Sequence, residues 1–198
     1  QAFVPSLLSR TLDAEPLAKA LCEGGLPSAE VTFRTAAAEE SIKKITEAYP
    51  EMLVGAGTGT DDRSGRQSGG RSKIYRKSGI DPEIVDYCLK KEIPVFPGCI
   101  TPSEVAQAVK EAESREVFPG GQFGGISTIK ALASLMWAEI YATGGVNAKN
   151  LGEYLGCNAI AACGGSWMVK SDLIKAGEFE KIKEMTKEAV SLVKEIRA

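Results

Sequence analysis

Apolar positions along the chain fall into short runs that alternate with longer stretches at helical spacing. Phe3 to Leu8, Ala29 to Thr35, Met52 to Gly55, Ile93 to Gly98, Ile140 to Gly145 and Asn158 to Cys163 read as strands. The later ones run into Gly or Pro, as a strand does where it turns into a helix. Asp13 is placed to cap a first helix whose inner stripe is Leu17, Ala18, Leu21 and Cys22, with Gly24-Gly25 as its stop. Ala36 to Tyr49 is helical, with Ile42 and Ile45 inside and Pro50 as its end. Ile80-Asp81-Pro82 opens a helix through Leu89, and Thr101-Pro102-Ser103-Glu104 opens the next as a capping box. Ile126 to Trp137 is helical, and Asn147 caps a helix to Leu155. Two closing helices carry Leu173, Ile174, Ile182, Met185, Ala189, Val190, Val193 and Ile196 as a core stripe.

Strand, glycine turn and helix repeated over the whole length predict a parallel α/β protein. Residues that look functional recur just after strands. That favours a single-domain (β/α)8 barrel over 1–198, whose sites lie at the C-terminal ends of its strands, over an open doubly wound sheet. The chain is short for a barrel, so its helices and loops must be minimal. The stretch from Glu116 through Phe118, Pro119 and the glycines to Gly125 is the expected point of convergence. There an apolar step breaks into a glycine turn before a helix.

Composition narrows the chemistry. The 198 residues are 43% hydrophobic and 25% charged, with net charge −2, which suits one packed domain and gives no reason to expect nucleic acid as a partner. No apolar run approaches the roughly 18 residues that span a bilayer, so no membrane is expected. Five cysteines without CxxC spacing read as free thiols in a reducing cytoplasm. There is no histidine, which removes Ser-His-Asp and Cys-His chemistry, His-ligated zinc and a histidine base. Catalysis must then use Lys, Asp/Glu, Tyr, Cys or backbone dipoles. On the second strand, Glu30, Thr32 and Arg34 share one face, and three polar groups on a buried strand are costly unless they serve something. Gly55-Ala56-Gly57-Thr58 is no dinucleotide fingerprint, because the third glycine is missing.

GG at 24–25, EVTFRT at 30–35, VGAGT at 54–58, PVFPG at 94–98, TPSE at 101–104, QFGG at 122–125, TGGVN at 143–147 and GGSW at 164–167 follow one another across nearly the entire chain. In that order and spacing the chain resembles the 2-keto-3-deoxy-6-phosphogluconate aldolases, also known as 4-hydroxy-2-oxoglutarate aldolases. The resemblance implies a (β/α)8 barrel, usually a homotrimer, that uses neither a metal nor a cofactor. The implied reaction is class I aldol cleavage of a phosphorylated keto acid to pyruvate and an aldehyde, by way of a lysine Schiff base that drains charge from the breaking C–C bond. Carried over, Glu30 is the general acid/base, its pKa raised by burial beside Val31 and Phe33. Arg34 clamps the substrate carboxylate with Thr58 nearby, and Phe118 lines the pyruvyl pocket. Gly144, Gly145, Gly165 and Ser166 form a phosphate cradle at helix N-termini.

Two stretches depart from the pattern. The nucleophile's position, three residues before the Pro of a Lys-Phe-Phe-Pro run, is held here by Glu116, and a carboxylate cannot form an imine. Gly59 to Gly79, where a helix and strand belong, is polar and Gly/Arg-rich and reads as a solvated basic loop, which would cost the barrel a stave. Codons can be chosen for Ser72 to Gly79 that, one base later, read Ala-Lys-Phe-Ile-Val-Ser-Pro. The same shift turns Glu116-Val-Phe-Pro-Gly into Lys-Phe-Phe-Pro-Ala, and Ala138 to Ala142 into Arg-Lys-Phe-Met-Pro. The expectation is therefore compensated reading-frame errors and a lysine at position 116. Read literally, Glu116 leaves a non-catalytic barrel that binds phosphosugar acids; a phosphosugar isomerase or epimerase using Glu30 as base is the other alternative.

Overall fold

The computed structural model describes residues 3–7, 13–34, 37–57, 72–111, 115–117, 121, 123–136 and 140–197, with the backbone alone for 3–7, 111, 115–117, 135 and 136. Eight strands lie among them: β1 (Phe3–Leu7), β2 (Ser28–Thr32), β3 (Leu53–Gly57), β4 (Ile74–Lys77), β5 (Val95–Cys99), β6 (Arg115–Val117), β7 (Ile140–Ala142) and β8 (Ile160–Gly165). Each pairs in parallel with the next in chain order, and β8 returns to β1, with Val4 opposite Gly164. The result is a closed barrel, as expected for (β/α)8. The helices among the described residues are α1 (Ala14–Glu23), α2 (Ala38–Ala48), α3 (Pro82–Lys90), α4 (Pro102–Glu111), α5 (Gly125–Met136), α6 (Leu151–Leu155), α7 (Ser171–Lys175) and α8 (Phe179–Arg197).

Alternation along the strands sorts the side chains. Ala29, Val31, Val54, Ala56, Tyr75, Val95, Cys99, Ala142 and Cys163 join Leu17, Leu21, Ile42, Ile45, Ile84, Ile129 and Leu151 of the helices in one buried cluster. Each fully buried Leu or Ile contributes about 1.5–3 kcal/mol, so this layer between barrel and helices carries most of the stability. The long α8 packs along α1 and closes the ring of helices where the chain ends meet.

Four expectations change. The stretch Gly59 to Gly79 is not a loop throughout, because Ile74–Lys77 forms β4, in register with β3 through Gly55 and Ile74 and with β5 through Arg76 and Phe96. No stave is lost: Tyr75 joins the core, and Arg76 is neutralised inside the barrel. Second, β2 stops at Thr32, so the polar face predicted to run to Arg34 ends two residues earlier. Third, Asp13 stands at the N-cap of α1 without a capping side-chain hydrogen bond. Last, the cap before Leu155 is Asn150, not Asn147. The capping box does form: Glu104 Oε2 accepts from the N–H groups of Ile100 (2.9 Å) and Thr101 (2.8 Å).

Candidate active site

Glu30 lies in the middle of β2 with 2% of its surface exposed, pointing into the barrel. The neighbouring strand makes room for it. A Cβ on Gly57 would lie 1.9 Å from Glu30 Oε1, so the carboxyl fills a notch that only glycine leaves open. Arg76 of β4, 9% exposed, reaches the same carboxyl: its Nη1 forms an ion pair with Glu30 Oε2, and its Nη2 donates to Thr143 Oγ1 at 3.2 Å. The guanidinium carbon is 4.9 Å from the centre of the Tyr141 ring, which itself stands 5.5 Å from the Phe96 ring. One polar cluster therefore ties β2, β4, β5 and β7 together. Burial alone was expected to act on Glu30. A contacting guanidinium favours the ionised carboxylate and opposes it. Breaking such a buried pair from one side typically costs about 3–5 kcal/mol.

Next to this cluster, directly past Thr143, the mouth is lined by backbone. Gly144 and Gly145 follow β7 with φ of +79° and +85°, a turn that a side chain would strain. The Gly145 carbonyl accepts from the side-chain amides of Asn147 (3.1 Å) and Asn150 (3.0 Å), and Asn150 Oδ1 accepts from the Asn147 N–H at 2.7 Å. Gly144 accepts from the N–H of Gly121 at 2.9 Å, which joins the turn after β6 to the turn after β7. Gly165, at the end of neighbouring β8, is buried with its Cβ position 3.1 Å from the Val146 carbonyl, and Ser166 is exposed beside it. The four residues of the expected cradle thus gather on two adjoining strand ends. They are not at helix N-termini, however: α6 begins at Leu151 and α7 at Ser171, each only five residues long. Any anion held here is held by turn N–H groups and a hydroxyl.

Arg34 occupies the turn after β2, exposed, and no hydrogen bond or ion pair joins it to Glu30 among the described residues. At position 116 the β6 backbone pairs with Gly98 of β5 and Tyr141 of β7. Thr58 and Phe118 lie outside the described residues. The strands contain one lysine, Lys77, which alternates to the outer face of β4 and pairs with Asp81, holding that carboxyl below its usual range. No group of three or more Cys, Asp or Glu among the described residues is placed to hold a metal ion. All five cysteines are free; burial pushes Cys88 up to about 11 and Cys163 to about 12, which makes these two poor nucleophiles at neutral pH. No helix among the described residues is long and apolar enough to cross a membrane.

Sequence reasoning missed Arg76, Gly57 and the Asn147–Asn150 lock. The spacing Asn-x-x-Asn after a Gly-Gly pair was visible. Arg76 was hidden because its strand is too polar to read as one. The arrangement sets a buried carboxyl, paired with Arg76, near a neutral pair of glycine turns.

Comparison with known proteins identifies the family. The family model described as KDPG and KHG aldolase matches residues 3–185. The chain is 35% identical to the 2-dehydro-3-deoxy-phosphogluconate aldolase of Treponema pallidum over 189 residues, covering 94% of this chain and 90% of that protein. A KDPG aldolase structure from Legionella pneumophila, with pyruvate captured at low pH as a covalent carbinolamine intermediate, superposes with a TM-score of 0.90 at 30% identity, covering 94% of this chain and 93% of that one. The 2-keto-3-deoxy-6-phosphogluconate aldolase of Zymomonas mobilis with 3-phosphoglycerate follows at 0.81 and 27%, covering 93% and 91%. With a closed eight-stranded barrel and a family match over nearly its whole length, the chain belongs to the KDPG and KHG aldolase family.

Proposed function

We propose that this chain is a class I aldolase that cleaves 2-keto-3-deoxy-6-phosphogluconate to pyruvate and glyceraldehyde 3-phosphate, with 4-hydroxy-2-oxoglutarate as a second substrate. The family match over residues 3–185 carries this reading. In it, an amine attacks the keto carbon and expels water, and the resulting iminium accepts the electron pair of the breaking C–C bond. Glu30 takes the proton from the substrate hydroxyl and returns one to the enamine carbon. Arg34 and Thr58 bind the substrate carboxylate, Phe118 lines the pyruvyl pocket, and Gly144, Gly145, Gly165 and Ser166 receive the phosphate.

The amine belongs at position 116, between β5 and β7. A carboxylate there, as in Glu116, forms no imine, and Lys77 faces outward. We propose that the natural chain carries lysine at 116 and valine at 76, the residues obtained one base later in each stretch. Support at β4 comes from Arg76, whose buried guanidinium occupies the carboxyl that has to exchange protons with substrate. The shift alters the other residues of each stretch as well, so the mass of the natural chain differs from that of the sequence with Glu116. Sequencing the coding DNA over 59–79 and 110–143, with the intact mass of the protein from that gene, decides the point. A mass equal to the sequence with Glu116 contradicts the proposal and leaves a barrel that binds phosphosugar acids without turnover.

We also propose a homotrimer in the cytoplasm, the latter supported by five cysteines that form no disulfide with one another. Sedimentation of the purified protein at a single mass of three chains is the expected result; a monomer contradicts it.

A further inference from the structure

Beside the turns after β7 and β8 stands an aromatic residue to which nothing above gives a role. Trp167 is half-buried against the core, two residues past Gly165. A Cβ on Gly165 would lie 2.4 Å from Cζ3 and 2.7 Å from Cε3 of the indole, so the six-membered ring covers the Gly165 backbone. The same Cβ position lies 3.1 Å from the Val146 carbonyl oxygen, so ring and carbonyl meet on one side of Gly165. The segment past the indole is anchored as well: Val169 N–H donates to the Ser166 carbonyl at 3.2 Å, and Met168 and Val169 are buried. Gly165, a ring from its own loop and a carbonyl from the neighbouring turn therefore meet at one point. That turn is in turn fixed by Asn147 and Asn150.

We propose that Trp167 is a positioning residue that sets the preference for a phosphate over a carboxylate at the far end of the substrate. This rests on the reading of the two turns as the phosphate cradle. A phosphate presents three acceptor oxygens in a pyramid, so it needs donors from both turns at one fixed separation. A terminal carboxylate presents two oxygens in a plane and is satisfied by one turn. The separation is set at that meeting point, where the indole fills the space beside Gly165 next to the Val146 carbonyl. Without the ring the β8 turn is free to shift against the β7 turn. The phosphate then loses one side of its cradle while the carboxylate loses little. Glycine at 165 and an aromatic at 167 form one device, because a side chain at 165 would displace the ring.

The test uses the full-length protein and two readouts. The first is kcat/KM for 2-keto-3-deoxy-6-phosphogluconate divided by kcat/KM for 4-hydroxy-2-oxoglutarate. Trp167→Ala is expected to lower this ratio about tenfold, the loss of about 1.4 kcal/mol of discrimination, while Trp167→Phe keeps it within about threefold of wild type. Gly165→Ala moves it in the same direction as Trp167→Ala. The second readout is the Kd of glycerol 3-phosphate by calorimetry, which needs no turnover and is expected to rise about tenfold in Trp167→Ala, to rise in Gly165→Ala as well, and to stay near wild type in Trp167→Phe. An equal fall for both substrates, with an unchanged Kd, makes Trp167 merely structural and overturns the inference. If wild type binds no glycerol 3-phosphate, the cradle reading falls with it. If wild type binds it equally well with and without the indole, the cradle stands and the role of Trp167 alone is lost. Unfolding midpoints of each variant separate a collapsed barrel from either result.

Discussion

On the β2–β3 side of the barrel mouth the proposed working groups are side chains, led by Glu30 in the notch of Gly57, whose carboxyl Arg76 occupies in place of the valine proposed for the natural chain. On the β7–β8 side they are backbone, with Gly144, Gly145 and Gly165 shaped by amide and ring contacts from Asn147, Asn150 and Trp167. The first wall is charged and buried, so what it does depends on the identity of single residues. The second is neutral and built from hydrogen-bonded turns, so what it does depends on geometry to which several residues each add a part. A one-residue change should then be severe on the first wall and graded on the second.

The largest effect expected from this contrast is at Glu30. Glu30→Gln removes the carboxyl proposed to transfer protons while keeping its shape, and kcat should fall by about 10²–10⁴ with little change in KM. A loss of less than tenfold would break the contrast. Next comes Gly57→Ala. The added methyl meets Glu30 Oε1 and must push the carboxyl aside, and displacements on the order of 1 Å cost about 10² in rate. Steady-state kinetics with an unchanged unfolding midpoint would identify misplacement rather than unfolding.

On the backbone wall, Asn150→Ala removes two hydrogen bonds that shape the Gly144-Gly145 turn, one to Gly145 and one from Asn147. At about 0.5–1.5 kcal/mol each, KM for the phosphorylated substrate should rise about tenfold while kcat stays within a few-fold. A kcat collapse would place Asn150 in the chemistry instead.

Away from both walls, Glu104→Gln sharpens the baseline. The N–H groups of Ile100 and Thr101 hold the Glu104 carboxyl below its ordinary range, so the ionised cap stabilises above the unfolded pKa. That stability is lost as pH falls through the lowered folded value. The variant should cost about 1 kcal/mol at pH 7 and nothing near pH 2 by thermal unfolding, with activity unchanged.

Much of this was legible in the chain because it is local. Leu17, Ala18 and Leu21 repeat at helical spacing, Asp81-Pro82 and Thr101 to Glu104 carry their own caps, and glycines follow β3, β7 and β8. What escaped is non-local. β4 has two apolar residues in four and polar neighbours on both sides; it becomes a strand because Tyr75 enters the core and Glu30, from another strand, neutralises Arg76. No pattern within Ile74–Lys77 announces that partner. Asn147 reads as a cap because the helix start and the turn lock use the same residue type three positions apart, and both side chains donate to the Gly145 carbonyl; only the helix start at Leu151 tells them apart. Arg34 was assigned to a strand face that in fact ends at Thr32.

The central claim is that imine chemistry happens at position 116. Protein expressed from the native gene should be incubated with pyruvate, reduced with borohydride, digested and mapped by mass spectrometry. The account predicts one stable pyruvyl adduct per chain on a lysine at 116, with activity lost in proportion to labelling. A peptide carrying unmodified glutamate at 116 in protein that cleaves the keto acid, or an adduct on any other lysine, would contradict it.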